Sequence, residues 1–335
     1  LVGMGTKYGE CLLAVKYREV DARGKHQGGP MYYIKNGLGR NWRWLAFLFA
    51  LFGALAAFGI GNSVQSNSVA HVLENNFSVP LWATGLVLSV LTAAVLIGGI
   101  RSIGAVAGKI VPMMTLFYVG GALLILFLHF DRIPAALWLI VSDAFTGSAA
   151  TGGFLGASIM LAMQSGVARG VFSNEAGMGT APIAQAAARS TSPVRQGTIG
   201  MLGTFIDTII VCSMTALVII IMNGWAHVDP DTGKRISDAA ITSFAFDQGL
   251  PQFGRHIVTF GLIFFTYTTI LGWSFYGERC AEYLLGVKVI VFYRILWVAV
   301  VFIGAVSELK LVWVMAEIMN GLMAIPNLIA LLLLS

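Results

Sequence analysis

From Trp44 to Ala70 the chain carries no charged side chain, and runs of this kind recur along its whole length. A membrane-spanning helix needs about 20 consecutive apolar residues. Besides Trp44–Ala70, candidate spans are Pro80–Ile100, Ile110–Leu128, Ala144–Ala168, Gln196–Trp225, Ile257–Gly277, Ile290–Val306 and Leu311–Leu334. Two of them hold an acidic residue, Asp207 and Glu317. The residues up to about Ala14 read as the tail of one further helix. The apolar share is 57% and the charged share 11%, where a soluble domain has about 25% charged residues. Too few charges remain to cover a soluble fold of this length, so the expected fold class is all-α and polytopic, solvated by a lipid bilayer.

The loops alternate in charge. Lys16, Arg18, Arg23, Lys25, Lys35, Arg40 and Arg43 crowd the first; Arg101 with Lys109, Arg189 with Arg195, and Arg279 with Lys288 mark later ones. The loops between these are poorer in basic residues. The positive-inside rule puts the basic loops in the cytoplasm, and every helix then crosses in turn with none left over. Orientation therefore accounts for the net charge of +5, and no nucleic-acid partner is implied, because the basic residues do not cluster with aromatic ones. Two of the outer loops read as helical: Ile133–Phe145 as an amphipathic surface helix, and Asp238–Phe246 as a short helix capped by Ser237 or Asp238. The three cysteines, Cys11, Cys212 and Cys280, have no metal or disulfide spacing. No HExxH, Gly-x-Ser-x-Gly or other nucleophile–base pattern is present, so an enzyme is not expected, and without a ring of like charges neither is a passive channel.

The segment Gln164–Arg189, QSGVARGVFSNEAGMGTAPIAQAAAR, should cross the membrane, yet it contains Arg169, Asn174, Glu175, four glycines and Pro182. Irregular backbone at membrane depth survives where protein or water surrounds it. A broken helix offers N–H groups at one half and carbonyls at the other, which suit a carboxylate and a cation. The alternative is a cytoplasmic loop that dips back for packing. In GIGNSVQSNS, Gly59–Ser68, the side chains of Asn62, Gln65 and Ser66 fall at helical spacing; this polar face either lines a wet cavity or hydrogen-bonds to a neighbouring helix. Thr268 and Thr269, with the Phe265 carbonyl one turn earlier, could give three neutral oxygens to a sodium ion, or the hydroxyls could simply bond back to their own helix. Trp273, one turn on, either walls a pocket or packs. Glu175 could pair with Arg169 or steer the break, Asp207 could serve a gate or a packing hydrogen bond, and His71 with Glu74 reads as a solvated helix end.

The runs GGPMYYIKNGLG (Gly28–Gly39), GNSVQSNS, RGVFSNEAGMGTAPIAQAAA (Arg169–Ala188) and the tail MAEIMNGLMAIPNLIALLLLS resemble the alanine or glycine:cation symporters, the sodium:alanine symporter family, along nearly all of the chain. That resemblance implies a LeuT-like bundle of two inverted five-helix repeats, with helices 1 and 6 broken, in a single transporter domain over 1–335. The chain begins at Leu1 inside an apolar stretch, so it is expected to hold the tail of helix 2 and helices 3–10, and to lack transmembrane helix 1. The implied activity is sodium-coupled symport of alanine or glycine across the plasma membrane by alternating access, with Na+ as coupling ion, no other cofactor and no obligate protein partner. A proton-coupled permease of the same fold is the alternative. Carried over by motif and register, Phe172, Ser173 and Asn174 would touch substrate at the helix 6 break, Gln65 and Trp273 would complete the pocket, and Phe265, Thr268 and Thr269 would hold sodium.

Overall fold

The computed structural model describes residues 1–21, 24–146, 155–228, 233, 236 and 238–335. Part of the expected Ala144–Ala168 span, Arg23 of the first loop and the Ser237 cap lie outside the described residues. Helices dominate; a two-stranded antiparallel hairpin, Glu19–Val20 with His26–Gln27, is the sheet among the described residues. Among the described residues, six helices are long and apolar enough to cross a membrane: Arg40–Glu74, Gly99–Leu128, Pro193–Ile221, Gly254–Leu285, Val289–Val306 and Ala316–Leu334. Leu81–Ile97 is a shorter apolar helix. Large apolar side chains such as Leu116, Phe127, Phe292 and Ile295 stand exposed on these helices, a surface that suits hydrocarbon rather than water. The protein is an all-α multi-pass membrane protein.

Several helices outrun their apolar windows. Gly99–Leu128 begins eleven residues before Ile110 and includes Arg101 and Lys109; backbone hydrogen bonding continues wherever the chain keeps helical angles, regardless of side-chain polarity. Gly254–Leu285 extends past Gly277 because its last charges find partners. Arg279 pairs with Glu278 and Glu282, and Arg294 Nε donates to Glu278 at 2.6 Å. Gln27 adds a 2.9 Å hydrogen bond to Glu282. All these acids and Arg279 are buried, and buried charges persist when they are paired. Pro193–Ile221 starts at Ser192, whose side chain accepts from the Arg195 amide; a serine N-cap satisfies one of the amides a helix start leaves open.

The chain divides into two compact units. The first comprises Leu1–Val111, Glu175–Phe205 and Ile263–Ser335. Within it Val2–Lys16 packs on Pro193–Thr204, Leu81–Ile97 on Val289–Val306, and Arg43–Phe58 on Leu309–Leu334. Small residues permit the close approaches: a Cβ on Gly85 would meet Ala305 at 2.9 Å, and one on Gly200 would meet Cys11 Sγ at 2.4 Å. The second unit comprises Pro112–Asn174 and Ile206–Leu262. Its core gathers Ala122, Ile125, Leu126, Ala136, Val218, Ile221, Ala245, Phe246 and Val258. The helices Ile133–Thr146 and Asp238–Gly249 supply Ala136, Ala245 and Phe246 to that core.

Candidate functional site: a helix break and two polar clusters

The helix Leu155–Asn174 ends abruptly, and non-helical backbone runs from Glu175 to Thr180 before Ala181–Ala186 resumes. Three residues force the break. Glu175 adopts φ 54°, Gly177 φ 84° and Gly179 φ 81°, left-handed angles that glycine takes freely and glutamate only when its surroundings hold it. Pro182 then opens the second helix near its first turn, where a missing N–H is harmless. Residues 176–180 are buried, so their polar groups must be satisfied by protein.

The partners are side chains from the two ends of the sequence. Lys7 Nζ donates to the Glu175 carbonyl at 2.9 Å. The Gly179 amide donates to Glu10 Oε1 at 3.0 Å. Asn327 Nδ2 donates both to Glu10 Oε1 and to the Gly177 carbonyl, the latter at 2.9 Å, while Tyr33 Oη donates to Asn327 Oδ1. Lys7, Glu10, Tyr33 and Asn327 are all buried. Glu10 Oε2 has no hydrogen-bond partner among the described residues. The Glu175 carboxylate accepts from Trp273 Nε1 at 3.0 Å and from Thr180 Oγ1 at 2.6 Å. Glu175 therefore steers the break rather than serving as a bare charge.

Trp273 is 3% exposed and lies directly against Gly61, where an added Cβ would come within 2.1 Å of the tryptophan Cβ. Gly61 belongs to a π-helical turn, Gly59–Ser63, that interrupts the long helix. Two hydrogen bonds five residues long accompany the turn: Ser63 Oγ to the Phe58 carbonyl at 2.9 Å, and Gln65 Nε2 to the Ile60 carbonyl at 3.0 Å. The extra residue per turn rotates the polar face. Asn62 donates to the Trp297 carbonyl at 2.9 Å, and Asn67 to the Gly304 and Ser307 carbonyls at 2.9 and 2.7 Å. Of the expected face, Asn62 bonds to a neighbouring helix, while Gln65 and Ser66 are buried and bond within their own; Asn67, outside that face, makes the other interhelical bonds.

The hydroxyls of Thr268 and Thr269 bond back to their own helix. The Phe265 carbonyl accepts from Thr268 Oγ1 and from Thr269 Oγ1, both at 2.9 Å, and Thr268 also reaches the Phe264 carbonyl at 3.0 Å. A carbonyl has two lone pairs, so two hydroxyl donors occupy the Phe265 oxygen. The hydroxyl oxygens keep lone pairs of their own.

In the second unit Phe172, Ser173 and Asn174 form the last turn of Leu155–Asn174, one step before the break rather than inside it. Helical geometry persists to Asn174 because the left-handed angle enters only at Glu175. Ser173 Oγ lies 2.9 Å from each carboxylate oxygen of Asp207 and donates to that carboxylate, and Asn174 Nδ2 donates to Thr208 Oγ1 at 3.0 Å. Asp207 and Thr208 sit in a second π-helical stretch, Phe205–Cys212; π-turns interrupt α-helices mostly at functional positions.

Sequence reasoning passed over Lys7, Glu10, Tyr33 and Asn327. The signal for them was faint: a Lys–Glu pair at i, i+3 in an otherwise apolar helix, and an asparagine following Pro326 in another.

Long apolar helices beside a buried, glycine-rich helix break tied down by polar side chains are the parts from which multi-pass membrane transporters are built. The sodium:alanine symporter family matches the chain over residues 1–335, and the chain belongs to that family. It is 51% identical over 337 residues to the sodium/alanine symporter AgcS of Methanococcus maripaludis, covering 99% of this chain and 72% of the relative. It is 49% identical over 334 residues to an uncharacterized transporter of Haemophilus influenzae, again covering 99% of this chain and 72% of the relative.

Proposed function

We propose that this chain forms the transport domain of a sodium-coupled symporter for a small neutral amino acid, alanine or glycine, in the plasma membrane. Two inverted repeats in a LeuT-like arrangement, working as one domain over 1–335, would expose the solute alternately to each side. The observation that carries this reading is the buried non-helical backbone of Glu175–Thr180 in a chain of the sodium:alanine symporter family. Such backbone is tolerated at membrane depth where protein buries it or where it lines a water-filled cavity, and transporters build their midplane solute sites at breaks of this kind.

Substrate-contact roles remain proposed for Gln65 and Trp273 in the first unit, and for Phe172, Ser173 and Asn174 in the second. The sodium role remains proposed for the oxygens of Phe265, Thr268 and Thr269. A proton-coupled permease would need a titrating group at the break. Glu175 is the acid within the break, and both its carboxylate oxygens accept hydrogen bonds, from Trp273 and Thr180; what supports sodium over the proton is the family, whose description names sodium. Linkage makes coupling mutual: if sodium and alanine favour one state, each raises the affinity for the other.

The test is counterflow of labelled alanine, glycine and serine in proteoliposomes of the full-length protein, with sodium present or replaced by choline. The reading expects alanine exchange that rises with sodium. Equal exchange in choline would end it. Exchange driven by a pH gradient without sodium would select the proton-coupled alternative.

A further inference from the structure

Asp207 is an ionisable residue in the middle of the apolar helix Pro193–Ile221, and its surroundings are unusual for one. Its carboxylate accepts from the Ser173 hydroxyl at 2.9 Å through both oxygens and from the Thr208 hydroxyl at 3.1 Å through Oδ2. Both donors are neutral. Among the described residues no Lys, Arg or His pairs with this carboxylate. A second negative source converges on the same place. Ser173 and Asn174 are the final residues of the 20-residue helix Leu155–Asn174, and the C-terminal end of such a helix carries roughly half an elementary negative charge.

A full and a partial negative charge thus meet in an apolar span, and the groups around them among the described residues are neutral: the Ser173 and Thr208 hydroxyls, the Asn174 amide and the Cys212 thiol, 3.7 Å from Ser173 Oγ. Ionisable groups in such positions are retained when they are paired or when they do chemistry. The oxygen atoms present, a carboxylate and two hydroxyls that each keep acceptor lone pairs, suit a hard cation rather than a soft one. The π-helical backbone of Phe205–Cys212 brings Asp207 and Thr208 to the same hydrogen-bonded cluster as Ser173.

We propose that Asp207, Ser173 and Thr208 form a binding site for a monovalent cation, separate from the Phe265–Thr268–Thr269 oxygens. When the ion enters, the Ser173 and Thr208 hydroxyls rotate, their protons turn away from the carboxylate, and their lone pairs face the ion beside the Asp207 oxygens. The carboxylate is neutralised by the ion and no proton is taken up or lost. The choice of Na+ as the ion rests on the sodium-coupled reading above; the site itself rests on the Asp207 cluster.

The experiment is equilibrium binding of 22Na+ to the full-length protein in lipid nanodiscs, without amino acid, for wild type, Asp207→Asn, the Ser173→Ala/Thr208→Val pair, and Thr268→Ala. Asp207→Asn should lose one bound Na+ per protein, or bind it at least ten-fold more weakly. The Ser173→Ala/Thr208→Val pair, which removes no charge and provides the answer if Asp207→Asn does not fold, should weaken binding several-fold. Thr268→Ala should leave the Asp207 component intact. Wild-type binding in both Asp207→Asn and the double variant overturns the proposal, and so does wild-type binding in the double variant alone if Asp207→Asn cannot be purified. The two readings fail separately. Alanine exchange indifferent to sodium would remove the symport reading while leaving a Na+ site at Asp207 measurable, and sodium-dependent exchange with Na+ binding untouched by these variants would remove only the site.

Discussion

Glu10 and Asp207 are both carboxylates on apolar helices, and they are treated differently. Glu10 is fully buried, receives the Gly179 amide and the Asn327 side chain, and has Lys7 one turn away. It fastens a stretch of backbone that could not otherwise be satisfied. Asp207 is half-buried and receives hydroxyl protons alone. The contrast separates two uses of charge in a membrane protein. A carboxylate tied to a backbone amide and a buried asparagine is a strut, and removing it strands its partners. A carboxylate with only hydroxyl donors retains the capacity to hold an ion.

The largest expected effect follows from breaking the strut. Glu10→Ala would leave the buried Gly179 amide without its acceptor, take one of two acceptors from the Asn327 amide, and remove the carboxylate charge beside the buried Lys7 ammonium, a loss of about 3–5 kcal/mol as for a broken buried pair. It should appear as a collapsed melting temperature of the detergent-purified protein, with Glu10→Gln less severe because one acceptor survives. Asp207→Asn should sharpen the contrast, with stability in choline buffer within about 1 kcal/mol of wild type, together with loss of any Na+-dependent rise in melting temperature. Equal damage from the two substitutions would erase the distinction.

Next in size is Gly61→Ala. The new methyl would sit 2.1 Å from Trp273 Cβ, an overpacking worth about 1–3 kcal/mol, and tryptophan fluorescence should report the displaced indole. Trp273→Phe keeps the ring but withdraws the N–H that reaches Glu175. The carboxylate oxygen left behind should cost about 1–3 kcal/mol, read in the same melts, and the alanine, glycine and serine preference in counterflow should shift if Trp273 bounds the solute.

The smallest effect lies outside the membrane, at Glu19. Burial raises its carboxyl, but hydrogen bonds from Lys35 and Asn36 and the Lys35 charge outweigh burial and leave it below its ordinary value. A depressed carboxyl stabilises the folded state fully above the unfolded value of about 4.3, and that contribution fades as pH falls through the lower folded value. The pair is partly exposed, so solvent screening limits it to at most about 1 kcal/mol. Glu19→Gln should flatten the acid limb of the melting-temperature profile slightly and change nothing near neutral pH.

The fold class and most spans were legible because apolar length is a local property. Leu81–Ile97 and Val289–Val306 lie within three residues of their expected ends. The existence of the break was legible as well, since Gly177, Gly179 and Pro182 are all poor helix formers. Its position was not. The turn begins at Glu175 because Lys7 and Trp273, remote in sequence, hold that residue in a left-handed conformation, and a local reading cannot see them. The same limit applies to Asn62 and Asn67. Spacing marked Asn62, Gln65 and Ser66 as a polar face and passed over Asn67; beside the π-turn at Gly59–Ser63, the residues that meet the Val289–Val306 helix are Asn62 and Asn67. The hydroxyl cluster at Asp207 was invisible for a further reason. Ser173 and Asp207 are 34 residues apart, and only the fold of the second unit brings them together.

The most direct measurement is hydrogen–deuterium exchange of the Glu175–Thr180 amides in the full-length protein, alone and with saturating sodium and alanine. The expected result is exchange faster than in the flanking helices without ligands, and protection of this segment when sodium and alanine are added together. Amides already as protected as a continuous helix, or exchange indifferent to both ligands, would contradict the view that this broken backbone is where the protein meets its solute.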